Sequence, residues 1–276
     1  MQRIDAHQHF WKFDPVRDSW ITEEMAVIQR DFMPQDLQAV LSQNGFDGCV
    51  AVQADQSEAH SDVLFCVENE HSYIRGVVGW VDLQAENIAE RLAHFKQFPV
   101  VKGFRHVLQG EPPRDLLLSQ KFLNGIAALQ PFGFTYDILI FPDQLIYSKN
   151  LVAQFPDQPF VIDHLAKPSI KKKEIKEWTL DMEAISKHPN VCCKLSGMVT
   201  EADWKEWKKD DFTQYIDVAV NAFGIDRLMF GSDWPVCLVA ASYTKVVEIV
   251  ADYFSAFSAD EQQKLFGGNA IQFYHL

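Results

Sequence analysis

The sequence predicts an α/β chain folded as one (β/α)8 barrel, a TIM barrel, spanning residues 1–276 as a single domain. Three observations predict it. Eight short apolar runs, rich in β-branched and aromatic residues, alternate with stretches of helical periodicity. A length of 276 residues suits one barrel, and no Ser/Gly-rich linker divides it. No GxGxxG or GxxxxGKS/T phosphate loop follows an early strand, which removes support from an open doubly wound sheet.

The elements follow in order. Residues 3–7 form the first strand. A long aromatic segment, 10–33, contains Pro15 and is expected to lie as a loop over the barrel mouth. Residues 34–44 set Leu37, Val40 and Leu41 on one helical face, with Gly45 as a stop signal. Strands two to four are expected at 48–54, 74–81 and 100–105. A helix at 115–129 precedes strand five at 134–140. Strand six at 160–164, a helix at 172–187, strand seven at 191–195, a helix at 212–223 and strand eight at 228–231 complete the alternation. Near-continuous apolar runs such as VCCKL and PFVID suit a parallel sheet covered by helices. Residues 171–173 and 204–211 (WKEWKKDD) read as solvated helix faces.

Composition narrows the function. Hydrophobic residues at 47% and charged residues at 23% exclude disorder, collagen and coiled coil. A net charge of −13 argues against nucleic acid as a partner, since duplex binders carry a basic footprint. The N-terminus MQRIDAHQHFW has no apolar leader core, and no stretch reaches the ~18 apolar residues of a spanning helix, so a cytoplasmic protein without membrane contact is expected. The five cysteines (Cys49, Cys66, Cys192, Cys193, Cys237) show no CxxC spacing and read as small packed residues rather than a disulfide framework.

In a barrel, reactive groups sit at the carboxyl ends of the strands. Strand one ends in DAHQH. Side chains alternate along a strand, so His7 and His9 point the same way, ~6.6 Å apart along it, and could grip one divalent ion. Strand six ends in IDH with His164, ahead of LAKP. Strand eight ends in FGSDWP, where Asp233 supplies a carboxylate. His60, His71, His94, His188 and His275 fall in or beside helical segments and receive no role.

This ordered set, IDAHQHFW, VKGFRH, IDHLAKP, CKLSG, GSDWP and a final GNA, resembles the amidohydrolase superfamily over the whole chain. Within it the sequence is most similar to the branch of L-fucono- and L-rhamnono-lactonases, kin of the 2-pyrone-4,6-dicarboxylate lactonases. The resemblance implies a centre of His7, His9, His164 and Asp233 on a barrel. It also implies either one zinc-type divalent ion or a metal-free site, since members of the branch differ. A metal-bridging Lys has no counterpart: strand five offers Tyr136 and Asp137, strand four Lys102, Arg105 and His106. Two metals are therefore not expected.

The expected reaction is hydrolysis of a small-molecule sugar lactone, with Asp233 as general base and His164 or the ion polarising the carbonyl. Trp11, Trp80 and Trp234 could face the C–H side of a sugar or simply pack in loops. Gln53, Arg105 and Lys194 could bond hydroxyls. Arg105 could instead hold a carboxylate, but a dicarboxylate would call for several Arg. Lys194 is a charge in an apolar strand, so it either meets substrate or pairs with a buried acid. A decarboxylase of the same superfamily and a catalytically silent binding barrel are the alternatives, and a homo-oligomer is compatible with all of them.

Overall fold

The computed structural model describes residues 2–61 and 71–276; Cys66 lies outside the described residues. Eight strands form one sheet in sequence order, every neighbouring pair parallel. They are β1 Ile4–Gln8, β2 Gly48–Val52, β3 Ile74–Gly79, β4 Val101–Val107, β5 Thr135–Leu139, β6 Phe160–Ile162, β7 Val191–Leu195 and β8 Leu228–Phe230. All eight expected strands are present.

The sheet closes just beyond β8. Asp233 N–H donates to His7 O at 2.8 Å, and His9 N–H donates to Trp234 O at 2.7 Å. The closing hydrogen bonds thus run through the candidate site itself.

Helices cover the outside, with differences of detail. The stretch expected as one helix at 115–129 breaks at Ser119, whose Oγ accepts from Phe122 N–H and starts a fresh helix at Gln120–Leu129. The fourth expected helix begins two residues early, at Asp210–Phe223, where Asp210 and Asp211 suit its N-terminus. The 204–211 stretch is not a solvated helix face. Trp204 and Trp207 pack against the core, and their indoles donate to Thr200 O and Ala240 O, so two large apolar bodies outweigh the charges between them. Helices Ile88–Phe95 and Leu145–Gln154 lie between strands and Tyr243–Tyr253 follows β8, where periodicity alone did not single them out.

The barrel interior carries an apolar layer of Ile4, Ala6, Val50, Val52, Val78, Val161 and Met229, joined by Ala270 and Tyr274 of the C-terminal helix Asn269–Tyr274. Strict alternation would send His7 away from the face that Ala6 occupies. The β1–β2 ladder shifts register between Asp5 and Gln8, and this irregularity re-aims His7 into the barrel. Cys49, Cys192, Cys193 and Cys237 are free. Among the described residues no helix is long and apolar enough to cross a membrane.

Candidate active site

β1, β6 and β8 bring four distant residues together at the barrel mouth. His7 Nε2 lies 3.2 Å from His9 Nε2. Asp233 Oδ1 lies 4.0 Å from His7 Nε2, 3.4 Å from His9 Nε2 and 3.8 Å from His164 Nε2. Ligand atoms of His7, His164 and Asp233 all fall within 4.8 Å of one another.

The other nitrogen of each ring is engaged. His7 Nδ1 faces Asp163 Oδ1 at 3.2 Å, His9 Nδ1–H donates to Val52 O at 2.9 Å, and His164 Nδ1 pairs with Ser196 Oγ at 2.8 Å. Val52 O can only accept, so it fixes the His9 tautomer with Nε2 as the free acceptor, while Asp163 and Ser196 orient the other two rings. Three Nε2 atoms and a carboxylate oxygen converge on one small space. Acceptors facing one another repel unless a cation or proton lies between them. His7, His164 and Asp233 offer donors that fit one borderline-soft divalent cation, with His9 Nε2 beside them.

Burial pushes His7 and His164 well below the usual imidazole value of 6.5, against the pull of Asp163 and Asp233, and so keeps both neutral as ligands must be. For Asp233 burial acts upward, but His164, His9 and Lys167 more than offset it, and its carboxyl sits below the usual 3.8.

Two backbone features build this geometry. Residues His164, Leu165, Ala166 and Lys167 all have φ between 52° and 55°, a left-handed turn made without glycine. Each such residue costs about 1–2 kcal/mol, so its surroundings must hold it. The Trp178 indole donates to Leu165 O at 2.8 Å, and Leu165 and Ala166 are fully buried. Asp233 is also left-handed, at φ 58°. Such strain gathers where function requires it.

Gly197, at φ 63°, lies against the His164 ring: a Cβ there would stand 2.6 Å from His164 Nδ1. Gly197→Ala should therefore displace the ring from Ser196 and destabilise the fold by about 1–3 kcal/mol. Thermal unfolding and divalent-metal affinity, measured together, are expected to fall in parallel.

Beneath the four residues lies a buried charge cluster. Lys194 Nζ donates to Asp137 Oδ2 at 2.6 Å, pairs with Asp163 Oδ1 at 2.9 Å and lies 3.1 Å from His7 Nδ1. Arg105 donates to Asp163 Oδ2 at 3.1 Å and Gln53 O at 2.7 Å, and its Nη1 lies 3.3 Å from His7 Nε2. Tyr274 OH, rising from the C-terminal helix, donates to Asp137 Oδ2 at 2.8 Å. Asp5 locks β1 to β8, accepting from Ser232 N–H, Ser232 Oγ–H and Tyr243 OH.

Over this lies a cavity of about 550 Å³, lined among others by His9, Arg105, His164, Lys167, Glu201 and Asp233. The 10–33 segment walls its mouth, as expected, through Trp11, Arg17, Asp18, Trp20 and Met25. His60 supports that segment, its Nε2 3.1 Å from Phe10 O.

Of the residues expected to meet substrate, Trp11 and Arg105 line the cavity, while Gln53, Trp80, Lys194 and Trp234 do not. The Gln53 amide is buried and donates to Arg105 O. The Trp80 indole donates to His106 Nδ1 at 3.4 Å. Lys194 is fully buried among acids, and Trp234 packs edge-on against Phe10 and Phe32 under the mouth segment. Lys167, Glu201, Trp20 and Trp204 were not anticipated as cavity residues. Lys167 stands in the quoted IDHLAKP motif, but nothing in that string announces a left-handed turn.

The amidohydrolase family model matches residues 4–276. The chain is 37% identical, over 99% of its length and 96% of the relative's, to L-fucono-1,5-lactonase of Burkholderia multivorans (strain ATCC 17616 / 249). It is 33% identical, over 99% and 96%, to L-fucono-1,5-lactonase of Burkholderia ambifaria (strain ATCC BAA-244 / DSM 16087 / CCUG 44356 / LMG 19182 / AMMD). A crystal structure of an amidohydrolase from Burkholderia multivorans with bound zinc superposes with a TM-score of 0.96, at 37% identity and full coverage of both chains.

Proposed function

The chain belongs to the amidohydrolase family, and from that premise we propose that it is a hydrolase opening a sugar-acid lactone, an aldonolactone of the L-fucono-1,5-lactone type. The observation that carries the proposal is the convergence of His7, His9, His164 and Asp233 on one space, three of them lining an aromatic-walled cavity and His7 buried beneath it. The relatives that carry L-fucono-1,5-lactonase activity in their names match it over nearly the whole chain, which supports the substrate class.

Zinc bound by His7, His9, His164 and Asp233 would polarise the lactone carbonyl and ease deprotonation of a water. This chain's own residues do the rest. Asp233 is held ionised and takes one proton from the attacking water, whose oxygen bonds to the carbonyl carbon. As the bond from that carbon to the ring oxygen breaks, Asp233 returns the proton to the ring oxygen. The product is a hydroxy acid that ionises and releases one proton to solvent. Asp163 and Ser196 hold His7 and His164 in register, and Arg105 braces Asp163. Trp11, Trp20 and Trp204 offer flat apolar faces to the C–H side of the sugar.

A neutral ring suits the cavity better than a dicarboxylate. Its cations are engaged: Arg17 with Asp18, Arg105 with Asp163, and Lys167 near Glu201. Asp55 and Asp233 add acid to the lining.

The test is proton release on mixing the protein with five- and six-membered sugar lactones. Release well above the spontaneous rate is expected for at least one aldonolactone; none with any lactone, or CO₂ from aromatic acids instead, overturns the proposal. The pH profile supplies a second prediction. Asp233 lies below 3.8, so it stays ionised, and His7 and His164 lie well below 6.5, so they stay neutral. From about pH 8 down to about pH 7, above the range in which buried Asp137 takes up a proton at about 6, kcat/KM should therefore stay flat. A fall of more than about twofold over that range would contradict these assignments.

A further inference from the structure

We infer that Lys167 and Glu201 form the substrate-selecting pair of the cavity, reading two adjacent hydroxyls of a polyhydroxylated lactone ring through a donor and an acceptor set side by side. The inference rests on the lactonase reading and deepens it.

The left-handed turn carries the argument. It has the i to i+3 bond of a 3₁₀ turn, with Lys167 N–H donating to His164 O at 2.7 Å. Residues three apart in such a turn stack on one side. The strain at residues 164–167 therefore does two things at once: it sends His164 to the catalytic floor and Lys167 to the wall of the same cavity. An extended chain through Leu165 and Ala166 would separate the two side chains. Holding four left-handed residues merely to expose a lysine would have no purpose, because solvent is available to any loop.

Glu201 meets Lys167 from the helical turn Met198–Glu201 after β7. Lys167 Nζ lies 3.6 Å from Glu201 Oε1, close enough for attraction but beyond hydrogen-bond length. The two charges balance each other, yet an ammonium has three protons and a carboxylate about four lone-pair directions, so each keeps hydrogen-bonding capacity for a ligand. Both side chains are about one-fifth exposed, 18% and 21%, so they are held in the wall rather than waving in solvent. Adjacent ring hydroxyls present an acceptor and a donor at comparable spacing, and each fits one member of the pair. Two half-buried charged partners left without those hydroxyls would penalise an unsubstituted ring.

The test compares one hydroxylated lactone, L-fucono-1,5-lactone, with unsubstituted δ-valerolactone on wild type, Lys167→Met and Glu201→Gln. The ratio of kcat/KM for the two substrates is expected to fall roughly 10- to 100-fold in Lys167→Met, and in the same direction in Glu201→Gln. Calorimetry with L-fuconate supplies a readout independent of turnover, and its affinity should drop in Lys167→Met. If wild type opens lactones but both ratio and affinity are unchanged in the variants, the pair does not select substrate and the lactonase reading stands. If wild type opens no lactone, the lactonase reading fails. L-fuconate binding then decides alone: loss in Lys167→Met keeps the pair as a hydroxyl reader, and no change or no binding overturns it. Should Lys167→Met fail to fold, Glu201→Gln tests the other half of the pair.

Discussion

Replacing Asp233 with Asn should lower kcat/KM for lactone opening by about 10²- to 10⁴-fold while the barrel stays folded. The side chains are nearly isosteric, and the strand closure at this residue runs through its backbone: Asp233 N–H donates to His7 O and Asp233 O accepts from Cys237 N–H. Those bonds survive the change. The carboxylate does not. Asp233 Oδ1 is the atom on which three Nε2 nitrogens converge, and an amide there can neither take a proton from water at neutral pH nor balance a cation. Activity within twofold of wild type, with an unchanged unfolding temperature, would remove Asp233 from the role of base.

Lys194→Met is expected to be the most destabilising single change in the barrel interior, by about 3–5 kcal/mol, or a fall in Tm of roughly 6–20 °C. Lys194 is fully buried and faces Asp137 and Asp163 at 2.6 and 2.9 Å. Removing it strands Asp137, which burial already pushes up to about 6 even with Lys194 pulling the other way. Asp163 keeps Arg105 and so suffers less. The double variant Lys194→Met/Asp137→Asn should recover part of the loss, because the amide oxygen still accepts from Tyr274 OH and no lone charge remains. Thermal unfolding of wild type, single and double variants measures both effects; a single variant as stable as wild type would show that the cluster contributes nothing.

The two predictions concern residues of different legibility. Asp233, His7, His9 and His164 were readable because strand-end motifs fix both residue type and place: a barrel gathers the carboxyl ends of its strands whatever their distance in the chain. Lys194 was readable only as a choice between substrate and a buried acid, and the acids that decide it, Asp137 and Asp163, come from other strands. Gln53, Trp80 and Trp234 also stand at strand ends, yet they turn to backbone, to His106 and to the aromatic packing of the mouth segment. Position along a strand gives the end of the barrel but not which neighbour competes for the side chain.

Lys167 escaped because a left-handed turn is ordinarily announced by glycine, and HLAK contains none. Trp204 escaped because the charges of WKEWKKDD mask two indoles that pack inward. The break at Ser119 could have been read from its capping preference, which competes with helix interior positions.

Hydrolysis of L-fucono-1,5-lactone in water enriched in oxygen-18, with the product examined by mass spectrometry, tests most directly the central claim that water activated at Asp233 attacks the lactone carbonyl. One heavy oxygen is expected in the carboxylate of each product molecule, formed at a rate that collapses in Asp233→Asn. Product without label, or with label on the ring-carbon hydroxyl, would contradict attack at the carbonyl.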